Sequence, residues 1–176
     1  VLFSGGTLGG GVWQNGQSGH GPVEGRKGTP QELSDLFFDL IAQGAHNINL
    51  VTPTHFVPQI RQALLVKKLP VPVVYNTSGY ERVETLRSLE GLVDIYLPDY
   101  KYDDPALAKA LSRAEDYPQR AQAALAEMVR PAGAPVSDGE GLMTRGVLLR
   151  HPHLPGHTTN SYPSPDRLPH PLPGLP

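Results

Sequence analysis

The chain has 176 residues, a net charge of −2 and no cysteine. That length supports one domain with a real core, and the missing cysteines exclude disulfides and thiolate-bound metals. Basic residues are scattered, which argues against a nucleic-acid partner. No apolar run nears the roughly 20 residues that span a bilayer, and the start lacks a charged leader region, so the expectation is a cytoplasmic protein with no membrane partner.

Composition divides the chain into three zones. Residues 1–28 hold ten glycines, and residues 151–176 hold eight prolines and four histidines. The intervening stretch has ordinary hydrophobic periodicity. A domain over residues 1–150 followed by a proline-rich, disordered tail over 151–176 is the expected organisation.

Val1-Leu2-Phe3 reads as a first strand, followed by the glycine-rich loop. Thr29-Pro30-Gln31-Glu32 is a helix start, with Thr as N-cap, Pro at the first position and Glu closing a capping box. Leu33, Leu36, Phe37, Leu40 and Ile41 keep helical spacing, and Gly44 ends the helix. Residues 47–52 read as a strand. Val57, Ile60 and Leu64 mark a helix, and residues 71–76 a strand with its proline near the start. Ser78-Gly79-Tyr80-Glu81 reads as a second capping box, leading into a helix through Val83 and Leu86. Residues 92–97 are a further strand. Asp104-Pro105 opens one helix, and Ala121, Leu125, Met128 and Val129 mark another that ends near Pro131 and Gly133. Residues 146–150 form the last strand.

Alternating strands and helices imply a parallel sheet with right-handed crossovers. Five strands fit a partial β/α barrel or an open sheet, and periodicity does not separate the two. In both, ligands bind at the carboxyl ends of the strands. Those ends carry Thr52-Pro53-Thr54-His55, Asn76-Thr77-Ser78-Gly79-Tyr80-Glu81, Pro98-Asp99-Tyr100-Lys101-Tyr102 and Arg150-His151.

Residues 4–15 read S-G-G-T-L-G-G-G-V-W-Q-N. With N-I-N-L-V-T-P-T-H, Y-N-T-S-G-Y-E, D-I-Y-L-P-D-Y-K-Y and L-P-G-H following in order, the chain resembles the pyruvate formate-lyase activating enzyme-like branch of the radical S-adenosylmethionine (SAM) enzymes over residues 1–158. The resemblance implies a partial (β/α) barrel, here C-terminally truncated because the proline-rich tail replaces the last β/α unit. It also implies a [4Fe–4S] cluster on three loop cysteines, and reductive cleavage of SAM to a 5′-deoxyadenosyl radical that acts on a substrate, often a partner protein.

The chain departs from this pattern at the chemistry itself. The cysteine positions are Gly6, Gly10 and Trp13, none of which ligates iron, so the chain is not expected to turn over. His20 is a lone histidine. His151, His153 and His157 are interleaved with prolines and lack a nearby carboxylate, so no metal site is assigned. For SAM, the resemblance implies contacts from Thr52, Thr54, His55, Asn76, Ser78, Lys101 and Arg150. Physically, Lys101 suits a carboxylate, and Thr54, Asn76 and Ser78 suit amino, carboxylate or ribose groups. Each has a plainer use: Ser78 as an N-cap, Asn76 as a strand end, Asp99 as a partner for Lys101. Two other functions fit the same pattern: a non-catalytic SAM- or nucleotide-binding module, and a phosphate site on the glycine-rich loop. The second is weakened because no G-K-[ST] follows.

Overall fold

The computed structural model of the chain describes residues 1–3, 8, 27–152 and 154. The glycine-rich loop apart from Leu8, His20, His153, His157 and the proline-rich tail lie outside the described residues. Six helical segments and five strands alternate along the described chain.

Helix α1 (Pro30–Ala42) begins as its sequence dictates. Thr29 Oγ1 accepts from the Glu32 amide at 3.2 Å, and Glu32 Oε2 accepts from the Thr29 amide at 2.8 Å, so two otherwise orphaned donors are satisfied. Gly44, at φ 94°, turns the chain out of the helix. Strand β1 (Ile48–Val51) follows, then a 3₁₀ turn (Thr54–Phe56) running into α2 (Val57–Val66). Next come β2 (Val73–Thr77), the short α3 (Val83–Arg87) and β3 (Ile95–Pro98). The remaining elements are α4 (Pro105–Ser112), α5 (Tyr117–Ala132), β4 (Val136–Ser137) and β5 (Met143–Val147). Asp104 caps α4, its side chain accepting from the Ala106 amide at 2.8 Å.

The sheet order is β1-β2-β3-β5-β4. The first four strands are parallel, and β4 pairs antiparallel with the start of β5. Leu2 bridges to Val51 in parallel on the outer side of β1, so the expected first strand is present as an isolated bridge. The parallel strands therefore lie in chain order, with no switch of direction.

Pleating separates the two faces of this sheet. Ile48, Leu50, Val73, Tyr75, Tyr96 and Val147 point to one face, where they join two apolar clusters with Phe37, Ile60, Leu64, Leu86, Leu89, Ala124 and Met128 from the helices. Val51, Asn76, Leu97 and Arg150 belong to the alternate set. Of the opposite face, neither Val51, Val74, Ile95 nor Leu97 belongs to any of the three apolar clusters. Among the described residues, the two sheet-lining clusters thus draw on one face, although Val74 and Ile95 of the other face are also buried.

Two expectations require correction. The Ser78–Glu81 segment is not a capping box: α3 starts at Val83, its N-cap is Arg82, and no side chain caps it. Glu81 is instead buried, with its carboxylate engaged elsewhere. The last strand also starts earlier than residue 146. Its first half pairs with β4, an exposed two-residue strand too short to show in periodicity.

Candidate functional site

Continued main-chain pairing beyond β3 and β5 builds the site. The Arg150 amide donates to Pro98 O at 2.9 Å and the Tyr100 amide to Arg150 O at 2.8 Å. This ladder sets Asp99 beside Arg150, as a parallel bridge. On the other side, the Asp99 amide donates to Thr77 O at 2.9 Å, which brings the exit of β2 alongside.

Four side chains from these three exits meet. Arg150 Nη2 donates to Asn76 Oδ1 at 2.8 Å and lies 2.8 Å from Asp99 Oδ1. Lys101 Nζ lies 3.4 Å from Asp99 Oδ2. Lys101 and Arg150 therefore both pair with the Asp99 carboxylate. Arg150 Nε is buried without a hydrogen-bond partner. Such an arrangement suits an incoming anionic group able to accept two hydrogen bonds. Next to it, His151 Nδ1 pairs with Tyr100 O at 2.5 Å, and its Nε2 is buried and unpartnered.

Tyr117, at the start of α5, braces this cluster from behind. Its hydroxyl is 2.8 Å from Ser78 O and 2.9 Å from Asp99 O, and it accepts from the Lys101 amide at 2.8 Å. Tyr100, Tyr102 and Tyr80 pack around its ring. Burial pushes the Tyr117 phenol well above its usual range. Gly79 approaches so closely that a Cβ there would stand 2.2 Å from Asp99 O, and its φ is 78°. Only glycine fits this crossing.

The exit of β1 forms a second group. Thr52 holds a left-handed backbone, φ 51°, a costly state for a β-branched residue. Its amide donates to Asn76 O at 3.0 Å, and its hydroxyl reaches Phe3 O at 2.9 Å and Val51 O at 2.8 Å. Thr54 and Thr77 both donate to Glu81 Oε1 at 2.5 Å. Burial raises the Glu81 carboxyl above its ordinary value, partly offset by these hydroxyls. His55 is exposed on the same 3₁₀ turn.

The seven residues expected from sequence thus fall into two groups. Lys101 and Arg150 meet on Asp99, Asn76 joins through Arg150, and Ser78 joins through its carbonyl on Tyr117. Thr52 and Thr54 have their hydroxyls turned to the protein, and His55 faces outward. Sequence reading missed Glu81, Tyr117 and His151. Glu81 had been assigned a helix cap, and His151 had been weighed only as a metal ligand beside His153 and His157. Nothing in the local pattern marks Tyr117 as more than the apolar start of a helix.

A separate recess between α4 and α5 is lined by Asp103, Glu115 and Asp116 among others. Its acids are engaged: Tyr80 donates to Asp116 at 2.6 Å, and Lys109 lies 2.8 Å from Glu115. Among the described residues, no group of three His, Cys, Asp or Glu side chains is placed to hold a metal, and no helix is long and apolar enough to cross a membrane.

No family model matches the chain. It is similar to an uncharacterized protein of Methanocaldococcus jannaschii, with 28% identity over 113 residues, 63% of this chain. The match spans 29% of that protein's length.

Proposed function

We propose that this chain is a β/α-barrel-type domain of radical SAM descent that keeps a binding site for SAM and has lost the iron–sulfur chemistry. The observation that carries the reading is the convergence of Asn76, Asp99, Lys101 and Arg150 at the carboxyl ends of three parallel strands, with the Arg150 Nε buried and lacking a hydrogen-bond partner. Parallel strands in chain order support a barrel wall over a doubly wound sheet, whose strand order reverses. The polar cluster lies where barrels bind their ligands.

A [4Fe–4S] cluster does not fit the residues present. It needs three thiolates, and the chain has no cysteine. SAM fits better. Its zwitterionic end matches a site holding both signs of charge: Arg150 and Lys101 for the carboxylate, Asp99 for the ammonium, with Asn76 and Ser78 as polar neighbours. In this chain SAM is a bound ligand, and no radical step is assigned.

Titration calorimetry tests the reading. SAM is expected to bind the wild-type chain, and Arg150→Ala is expected to weaken it roughly tenfold to a hundredfold, the scale of a hydrogen bond to a charged group. Absence of heat with folded protein would overturn the binding site, whereas equal affinity for adenosine would place recognition on the nucleoside. Descent is tested separately by anaerobic iron–sulfur reconstitution of a Gly6→Cys, Gly10→Cys, Trp13→Cys triple variant. It is expected to acquire cluster absorbance that the parent lacks. A folded triple variant that takes up no iron counts against that ancestry.

A further inference from the structure

Leu8 is the one large apolar side chain in S-G-G-T-L-G-G-G, residues 4–11. Glycine has no side chain to bury, so apolar anchoring of that stretch falls to this residue. Leu8 is 5% exposed and belongs to one apolar cluster with Tyr100, Tyr102, Leu107, Tyr117 and Leu154. Leu154, just past Arg150 in the chain, is as deeply buried. Two leucines from opposite ends of the described chain thus pack into the same cluster.

That cluster is what holds Lys101. Tyr100 and Tyr102 flank it in sequence, and both rings are buried in the cluster. Tyr102 meets the Tyr117 ring edge-on at 5.2 Å, and its hydroxyl lies 2.7 Å from Ser112 Oγ. The Lys101 amide donates to the Tyr117 hydroxyl at 2.8 Å, and His151 Nδ1 donates to Tyr100 O at 2.5 Å. The Lys101 backbone is therefore fixed by rings whose packing includes Leu8 and Leu154. Its Nζ stands 3.4 Å from Asp99 Oδ2. A point charge on a flexible stem is placed only as well as its backbone is held.

We infer that Leu8 is a positioning residue for Lys101: packed with Tyr100 and Tyr102, it fixes the segment that aims the ammonium group at Asp99 and at an incoming carboxylate. The ligand clause rests on the reading that these strand ends bind SAM. Within that reading Leu8 acts through Lys101 and touches no ligand.

Amide exchange on the full chain tests the packing step, and SAM titration tests its consequence. Leu8→Ala opens a cavity among the tyrosines, so protection at Tyr100 and Lys101 is expected to fall at least about tenfold. Thr52 and Asp94, whose amides donate to Asn76 O and Val73 O, are expected to keep theirs. Leu8→Met, close to leucine in volume, is expected to restore Tyr100 and Lys101. No loss at these two amides overturns the inference. So does an equal loss at Thr52 and Asp94, which marks general destabilisation, or a failure of Leu8→Met to restore protection. Should Leu8→Ala fail to fold, Leu8→Val takes its place, with the same contrast expected at about threefold. In titration calorimetry, Leu8→Ala is expected to weaken SAM about tenfold in the parent and less than about twofold in a Lys101→Ala background. Equal weakening in both backgrounds overturns the inference, because the leucine then acts without Lys101. Exchange that behaves as expected with no SAM binding by the parent removes the ligand clause alone; SAM binding with unchanged exchange in Leu8→Ala removes the positioning role alone.

Discussion

One oxygen, the hydroxyl of Tyr117, ties together the carbonyls of Ser78 and Asp99 and the amide of Lys101. The cluster at the strand ends depends on it, although Tyr117 itself is fully buried. Tyr117→Phe keeps the ring packing and strands those backbone groups in a buried place. We expect a loss of about 1–3 kcal/mol in denaturant unfolding, together with weaker SAM binding. A variant as stable as the parent would show that water replaces the hydroxyl freely. Gly79→Ala is a harsher change at the same crossing. It forces a left-handed alanine and a contact at 2.2 Å with Asp99 O. On the order of 3 kcal/mol should be lost, measured as a lower urea midpoint. By contrast, Arg130 bridges the half-exposed Glu90 and the buried Glu127, and Arg87 still pairs with Glu127 once it is removed, so Arg130→Ala should cost on the order of 1 kcal/mol.

Element by element, helices were easier to read than the loops between strands. Thr29 and Glu32 announce the start of α1 because a capping box is a local bargain between neighbours, and Thr29→Ala should cost about 1 kcal/mol in thermal unfolding. The same S/T-x-x-E spacing at Ser78 misled, because the Glu81 carboxyl is claimed by Thr54, 27 residues away. Local pattern carries no information about such a partner. Strand β4 escaped notice for a related reason. Two exposed residues, Val136 and Ser137, have no periodicity, and they are ordered by pairing with Arg145 and Met143. Of the site, Lys101, Asn76 and Arg150 were legible from their place after hydrophobic strand runs. Asp99 was legible as a partner for Lys101, but its pairing with Arg150 follows from the register between the exits of β3 and β5, which only the folded sheet supplies.

Across the whole molecule, the core is rich in phenols: Tyr75, Tyr96, Tyr100, Tyr102 and Tyr117 are almost completely buried. Burial raises the Tyr75 and Tyr117 phenols well above their usual range and pushes Tyr96 up to about 12. Their neutral forms are favoured in the fold, so their contribution is fully present below pH 10. Above it, the unfolded chain's phenols ionise while the buried ones resist, and stability falls by about 1.4 kcal/mol per pH unit for each phenol held neutral. Alkaline unfolding should therefore be cooperative and coincide with the jump in phenolate absorbance; tyrosines that ionise well before the loss of circular dichroism would contradict this. The β4–β5 hairpin has its own consequence at this scale. Gly146, at φ 137°, where a Cβ would stand 2.5 Å from Met143 Cε and 3.0 Å from Pro135 Cα, marks where β5 leaves its antiparallel neighbour for β3. The hairpin therefore acts as a gatepost. Among the described residues, β4 covers the start of β5 at Met143 and Arg145 and leaves the stretch near Leu148 open to a further parallel strand. Growth of the wall beyond β5 is rationed by a two-residue strand, which also guards most of that margin against unwanted pairing with other chains.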